Sequence, residues 1–258
     1  MKIIVGIKHV PDTETKVQIH SDGNRLDPAA VSKWIISPFD EYAIEQALQL
    51  RGEGEVVLVC VGPESAQSTV RTGLAMGADR AILVADDRFD GAEPMTRARA
   101  LAETIRSESP DLVLLGKYGV GTDEGQTGAM VAELLDWPHV GGVIALELAD
   151  GSYTARRAIE GALEVHEGAL PVLLTCDKGL NEPRYPSLKG IMQAKKKPLE
   201  KRDAAAAGVE DRLATGPRLV WETMELPLAK PQGIRLEGDA GDVAAQLVKK
   251  LHEEAKVL

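Results

Sequence analysis

At 258 residues the chain is long enough for one sizeable α/β domain with appendages, or for two small domains. Its 30 Lys and Arg against 40 Asp and Glu leave a net charge of −10, which argues against a general nucleic-acid binder. Although 44% of the residues are hydrophobic, no apolar run approaches the ~20 residues of a membrane span, and the opening MKIIVGIKHV is too short and too soon charged for a secretory leader; a cytoplasmic or organelle-matrix protein is expected.

Residues 3–7 (IIVGI) form a continuous apolar run with β-branched side chains, the pattern of a buried strand. An amphipathic helix follows at 41–50, with Ala43, Ala47 and Leu50 on one face. The alternation continues with a strand at 56–61, a helix at 63–76 stopped by Gly77, a strand at 81–84, a helix at 95–105, a strand at 112–115 and a helix at 126–135. Short apolar strands alternating with helices predict an α/β fold, a parallel doubly wound sheet with right-handed crossovers.

After Pro138 the pattern changes. Runs at 143–148, 153–159 and 163–166 are punctuated by Asp150-Gly151, Glu160-Gly161 and Glu167-Gly168, which predict hairpins and hence an antiparallel extension of the sheet, before a strand at 172–176. Cys60 and Cys176 each end an apolar run and read as buried, unpaired thiols. Five scattered histidines supply no metal-ligand spacing, so no metal is expected.

The next stretch, LNEPRYPSLKGIMQAKKK, breaks regular pairing at Pro183 and Pro186 and then places Leu188, Ile191 and Met192 at helical spacing. Two readings stand for these side chains: a displayed apolar knob for another protein, or a face folded back on this chain's own core. Between residues 189 and 202 the cations Lys189, Lys195, Lys196, Lys197, Lys201 and Arg202 meet one anion, Glu200, which suits a solvated face or the steering of a partner. From 198 to 239 periodicity disappears into Ala, Gly and Pro, the composition of an extended arm lying on a partner. A final amphipathic helix is predicted at 242–257, opened by an Asp cap and packed through Val243, Leu247 and Leu251. The division expected is residues 1–197, with a docking loop at 176–197, and residues 198–258 as arm and helix.

The run DLVLLGKYGVGTDEGQTGAMVAELL puts a glycine-bearing loop between a strand and a helix. Gly119, Gly121, Gly125 and Gly128 allow close backbone approach, Thr127 adds a hydroxyl, and the helix start favours an anion. The loop matches neither GxGxxG nor GxxxxGK[ST], so by itself it is as readily structural as phosphate-binding.

LNEPRYPSLKGIMQAKKK closely resembles the recognition loop of the β subunit of electron transfer flavoproteins. MKIIVGIKHV, SPFDEYAIEQA, RTGLAMGADR, DLVLLGK and QTGAMVAELLDWP resemble the same family, in the same order along the chain. The resemblance implies a Rossmann-like sheet binding an adenine nucleotide, and an electron carrier's subunit, not an enzyme in its own right. It implies a structural AMP whose phosphate is held by Gly121, Thr122, Asp123, Glu124, Gly125, Gln126, Thr127, Gly128, Ala129, Met130, Val131 and Ala132. Gly6, Ser37, Pro38, Phe39, Asp40 and Val61 would form the adenosine side, at the carboxyl ends of adjacent strands. It implies a heterodimer with an α subunit that carries most of the FAD contacts, with Phe39 the side chain of this chain expected nearest the ring. Flavin dehydrogenases such as acyl-CoA dehydrogenases would dock on Tyr185, Leu188, Ile191, Met192, Lys195, Lys196 and Lys197, and a quinone reductase would take the electrons.

Electron-bifurcating relatives hold a second FAD in place of AMP and oxidise NADH, with a segment like GDTAQVGP where this chain has TDEGQTGAM; the acidic Asp123 and Glu124 favour AMP. Thr13 stands where some relatives place an aromatic, and Ala158 where relatives often carry an acid, with Glu160 two residues on. A reading from another class is a stand-alone nucleotide-binding or hydrolysing α/β protein, which would lack the SGGxDS-like loop such hydrolases use.

Overall fold

The structure, a computed structural model, describes residues 1–230 and 232–258. They form two compact units, Met1–Thr223 and Met224–Leu258.

The first unit is organised by β1 (Lys2–Ile7), whose Ile3, Ile4 and Val5 are fully buried and need cover on both faces. A small antiparallel pair, β2 (His9–Pro11) and β3 (Trp34–Ile36), leads into α1 (Pro38–Leu50). Then come β4 (Glu55–Gly62), α2 (Gln67–Met76), β5 (Arg80–Ala85), α3 (Pro94–Glu108), β6 (Leu112–Gly116) and α4 (Thr127–Leu135). β7 (His139–Ala149), β8 (Ser152–Ile159), β9 (Ala162–Ala169) and β10 (Val172–Cys176) follow, then α5 (Leu188–Ala194), β11 (Leu199–Arg202) and α6 (Glu210–Thr215).

The nine strands of the main sheet lie in the order β11-β5-β4-β1-β6-β10-β7-β8-β9, parallel as far as β7 and antiparallel beyond it. The chain winds outward through β1, β4 and β5, then returns past β1 to β6. The order therefore reverses between β1 and β6, where doubly wound sheets open a crevice at their carboxyl ends. Because side chains alternate along a strand, Ile3 and Val5 pack with residues of α1 and α2, while Ile4 packs with residues of α3 and α4. The predicted α/β doubly wound sheet with its hairpin extension is the fold observed. No helix among the described residues is long and apolar enough to cross a membrane.

Two local readings of the first unit are corrected. Glu167-Gly168 makes no turn: both residues pair with β8, and the Tyr153 ring covers Gly168, where a Cβ would come within 2.8 Å of Tyr153 Cε1. Asp150 and Gly151 do turn the chain, with φ of 49° and 76°, as a tight hairpin of the primed type demands. Residues just after Pro198 are not extended arm. Leu199–Arg202 pairs in parallel with β5, and Ala204, Ala207, Val209 and Leu213 are buried with Phe89 and Val84. Edge position explains why LEKR lacks a strand's apolar signature, since one side needs no cover and charge there discourages further pairing.

In the second unit α7 (Ala240–Glu253) is capped by Asp239, whose side chain accepts from the Asp242 N–H at 2.9 Å, three residues before the predicted start. No residue of α7 is buried, and Leu247 of its apolar face is exposed.

Candidate nucleotide cleft and docking helix

A cleft opens over the carboxyl ends of β1, β4 and β6, at the reversal of strand order. Its floor is fixed by Asp40 in the first turn of α1. The Asp40 carboxylate accepts from the Lys8 N–H at 2.7 Å and from the Gly116 N–H at 3.0 Å, tying the ends of β1 and β6 together. Burial pushes its carboxyl up to about 7, against the pull of those N–H groups and of the Lys8 charge. A Cβ on Gly116 would stand 2.3 Å from Asp40 Oδ1, so glycine is what admits α1 here. Ser37, before α1, caps no helix amide; its hydroxyl donates to the Tyr118 carbonyl at 3.4 Å and accepts from the Val120 N–H at 3.2 Å, holding the glycine loop in place.

The loop then crosses positive φ at Gly121 (94°), Asp123 (47°) and Gly125 (64°) before entering α4. Gln126 at the helix start makes no side-chain cap, so the first amides of α4 are not satisfied by it. Gly6, Asp40, Val61, Thr122, Glu124, Gly125, Thr127 and Gly128 line the cleft together. Ser37, Pro38, Gly121, Asp123, Gln126, Ala129 and Met130 are not among the residues that line it. Val131 and Ala132 are buried in the core against α3 and β6, and Met130 packs on the same cluster. Phe39 is also outside the lining: its ring tilts against Tyr118, with centroids 4.4 Å apart. Gly128 serves helix–strand packing, because a Cβ there would sit 2.4 Å from Thr175 Cγ2 on β10.

Lys8, His9 and Arg97 also line the cleft, and sequence reading missed all three. Lys8 Nζ donates to Thr122 Oγ1 at 2.7 Å. The His9 ring stacks on Trp34 at 4.4 Å and shares a 2.6 Å hydrogen bond with Thr69 Oγ1 through Nδ1, while burial holds its pKa below the usual value. His9 Nε2 and Arg97 Nε are buried without a hydrogen-bond partner. A signal existed: Lys8 and His9 follow the first strand, at the end where such sheets bind ligands, and Arg97 puts a cation in the first turn of a predicted helix, against its dipole. Such a cleft, with glycine loop, helix start, cations and orphaned polar atoms, is chemically suited to a phosphorylated heterocycle. The thiols take no part: burial pushes Cys60 up to about 12 and Cys176 higher still.

A second site lies on α5. Ser187 caps it, accepting from the Gly190 N–H at 3.0 Å. Arg184 clasps the buried Glu45 of α1 through two hydrogen bonds of 2.6 and 2.8 Å, and this guanidinium holds the Glu45 carboxyl below its ordinary value. Arg71 of α2 donates to the carbonyls of Ala194 (2.6 Å) and Lys197 (2.8 Å). A Cβ on Gly190 would lie 2.4 Å from the Ala75 carbonyl oxygen, so α5 sits directly on α2. On this anchored helix Leu188 is 84% exposed and Met192 72%, with Ile191 about half covered, and Tyr185 in the loop before it is 94% exposed. Of the two readings of this face, burial in the chain's own core is therefore not what the fold does.

The basic run divides. Lys197 Nζ donates to the carbonyls of Leu74 (3.0 Å) and Ala78 (2.5 Å) and so caps the end of α2, Lys201 pairs with Glu64, and Arg202 pairs with Glu200 and Glu108. Lys189, Lys195 and Lys196 remain exposed beside the apolar face.

A family model described as electron transfer flavoprotein domain matches residues 29–207. Over its whole length the chain is 41% identical to the electron transfer flavoprotein subunit beta of Bradyrhizobium diazoefficiens and 39% identical to that of Bacillus subtilis, each covered completely. It is 36% identical to the subunit beta of Sus scrofa, again over the whole chain and 99% of that protein.

Proposed function

The chain belongs to the electron transfer flavoprotein β-subunit family, and from that premise we propose that it pairs with an FAD-carrying α subunit, holds a structural AMP in the cleft, and docks flavin dehydrogenases on α5. The observation that carries this reading is Leu188, displayed to solvent on a helix fixed at both ends to the body of the protein. An apolar side chain held out by a rigid base loses little entropy on docking, which is what a recognition anchor needs. Lys189, Lys195 and Lys196 would steer an acidic partner toward it.

The cleft fits AMP on its own terms. The start of α4, uncapped by Gln126, presents N–H groups to a phosphate, and the orphaned atoms of His9 and Arg97 supply further polar contacts. Bound FAD supplies the electron chemistry, passed from dehydrogenase to quinone reductase; this chain's residues bind, orient and dock. The subunit is then a carrier component, not a catalyst by itself. For the arm we infer a place on the α subunit, since Trp221, Leu228 and Ile234 are exposed and α7 buries nothing on its own chain.

Extracting nucleotides from the purified αβ complex tests the reading. One AMP and one FAD are expected. Two FAD would favour the bifurcating type, and ATP or ADP without flavin would return the chain to stand-alone nucleotide proteins.

A further inference from the structure

Lys8 and Arg97 form a cation pair for which the fold alone gives no reason. Lys8 comes from the turn after β1 and Arg97 from the first turn of α3, and both line the one cleft. Arg97 is placed at the positive end of its own helix, where a cation is destabilising. Its Nη2 is fixed by the Ala92 carbonyl, while its Nε is buried with no hydrogen-bond partner. Burial lowers the pKa of both groups, and the charge of Arg97 lowers that of Lys8 further. Glu124 is the acid that opposes the charge of both most strongly, with Asp90 acting on Arg97 and Asp40 and Asp123 on Lys8. Structural cations usually settle in ion pairs, as Arg80 does with Glu55 and Glu108. A desolvated, mutually repelling pair with an unused donor suits an anion carrying two charges.

We propose that Arg97, with Lys8, reads the charge of the nucleotide phosphate, gripping it from the side of β1 and α3 while the start of α4 supplies backbone N–H groups. The inference rests on the AMP reading of this same cleft and deepens it. Arg97 makes the site discriminate a nucleoside monophosphate from the bare nucleoside, and Glu124, facing the same cations, competes with the phosphate for them.

The test is equilibrium binding of AMP and of adenosine to nucleotide-depleted αβ complex, with melting temperature measured without ligand. Arg97→Gln is expected to weaken AMP by roughly tenfold or more, the loss of one charge-assisted bond, and to leave adenosine binding within about twofold. Arg97→Lys should recover part of the affinity, and Glu124→Gln should tighten AMP. Unchanged AMP affinity in Arg97→Gln would overturn the inference, and so would equal losses for AMP and adenosine, which would make the residue structural. A wild-type complex that binds neither ligand would instead remove the AMP reading, and this inference with it.

Discussion

In the cleft, polar groups stand without partners between apolar walls; on α5, the backbone is tied down and apolar side chains are what face solvent. The two surfaces are unfinished in opposite senses, so they ask for opposite ligands. Orphaned His9 Nε2 and Arg97 Nε call for a small charged molecule that supplies hydrogen bonds. Exposed Leu188 and Met192 call for a protein pocket that removes them from water. Their anchoring differs as well. Asp40 and Ser37 fix the cleft by backbone contacts at strand ends, whereas Arg184, Arg71 and Gly190 seat α5 on two helices.

The comparison is broken most directly at Leu188. Burying a leucine contributes ~1.5–3 kcal/mol, so Leu188→Ala should slow electron transfer from a dehydrogenase by roughly ten- to a hundredfold. Flavin content and melting temperature should hold, because little of this side chain is covered by its own chain. A large fall in melting temperature with unchanged coupling per folded molecule would contradict the docking role. Gly128 gives the opposite outcome in the cleft. Gly128→Val drives a side chain into Thr175 and should cost ~1–3 kcal/mol of stability, seen in urea unfolding, before any effect on AMP is measured. Unaltered unfolding would mean that α4 can move away from β10 freely.

The third effect is on pH. Asp40 is pushed up to about 7 in the fold, from about 3.9 in the unfolded chain. The folded state therefore binds the extra proton between those values. The stability this group contributes is complete below about pH 4 and is lost as pH rises through about 7, at up to ~1.4 kcal/mol per pH unit. Asp40→Asn should flatten that decline relative to wild type; parallel pH profiles would refute it. The smallest effect separates the lysines. Lys197→Met should lose ~0.5–1 kcal/mol of stability, as a helix-end contact does, and leave dehydrogenase coupling alone. Replacing Lys195 and Lys196 by alanine should do the reverse, slowing coupling chiefly at low salt.

Much of the sheet was legible in the sequence. Ile3–Val5, Val56–Cys60 and Leu112–Leu114 are buried on both faces, so each reads as an unbroken apolar run. Their order in the sheet was not legible, because right-handed crossovers fix the face on which each helix packs and not which strand the chain returns to. β11 was not legible, because an edge strand covered on one side can be written in charged residues. In the cleft, the glycine loop was found by its composition, while Lys8, His9 and Arg97 were not, since a polar residue after a strand and one cation in a helix's first turn are each too common to single a residue out.

The amino-acid sequence by itself determined the apolar strands and the longer helices, the family and the apolar spacing of Leu188, Ile191 and Met192, because periodicity and motif are local properties of the chain. Tertiary structure alone decided which way that spacing faces. It also decided that Lys197 caps α2 and that Gly128 serves packing. Lys8, just after β1, and Arg97, in α3, line one cleft for the same reason: parallel strands with their crossover helices bring together residues about ninety positions apart, and only the fold buries both and sets Glu124 against them.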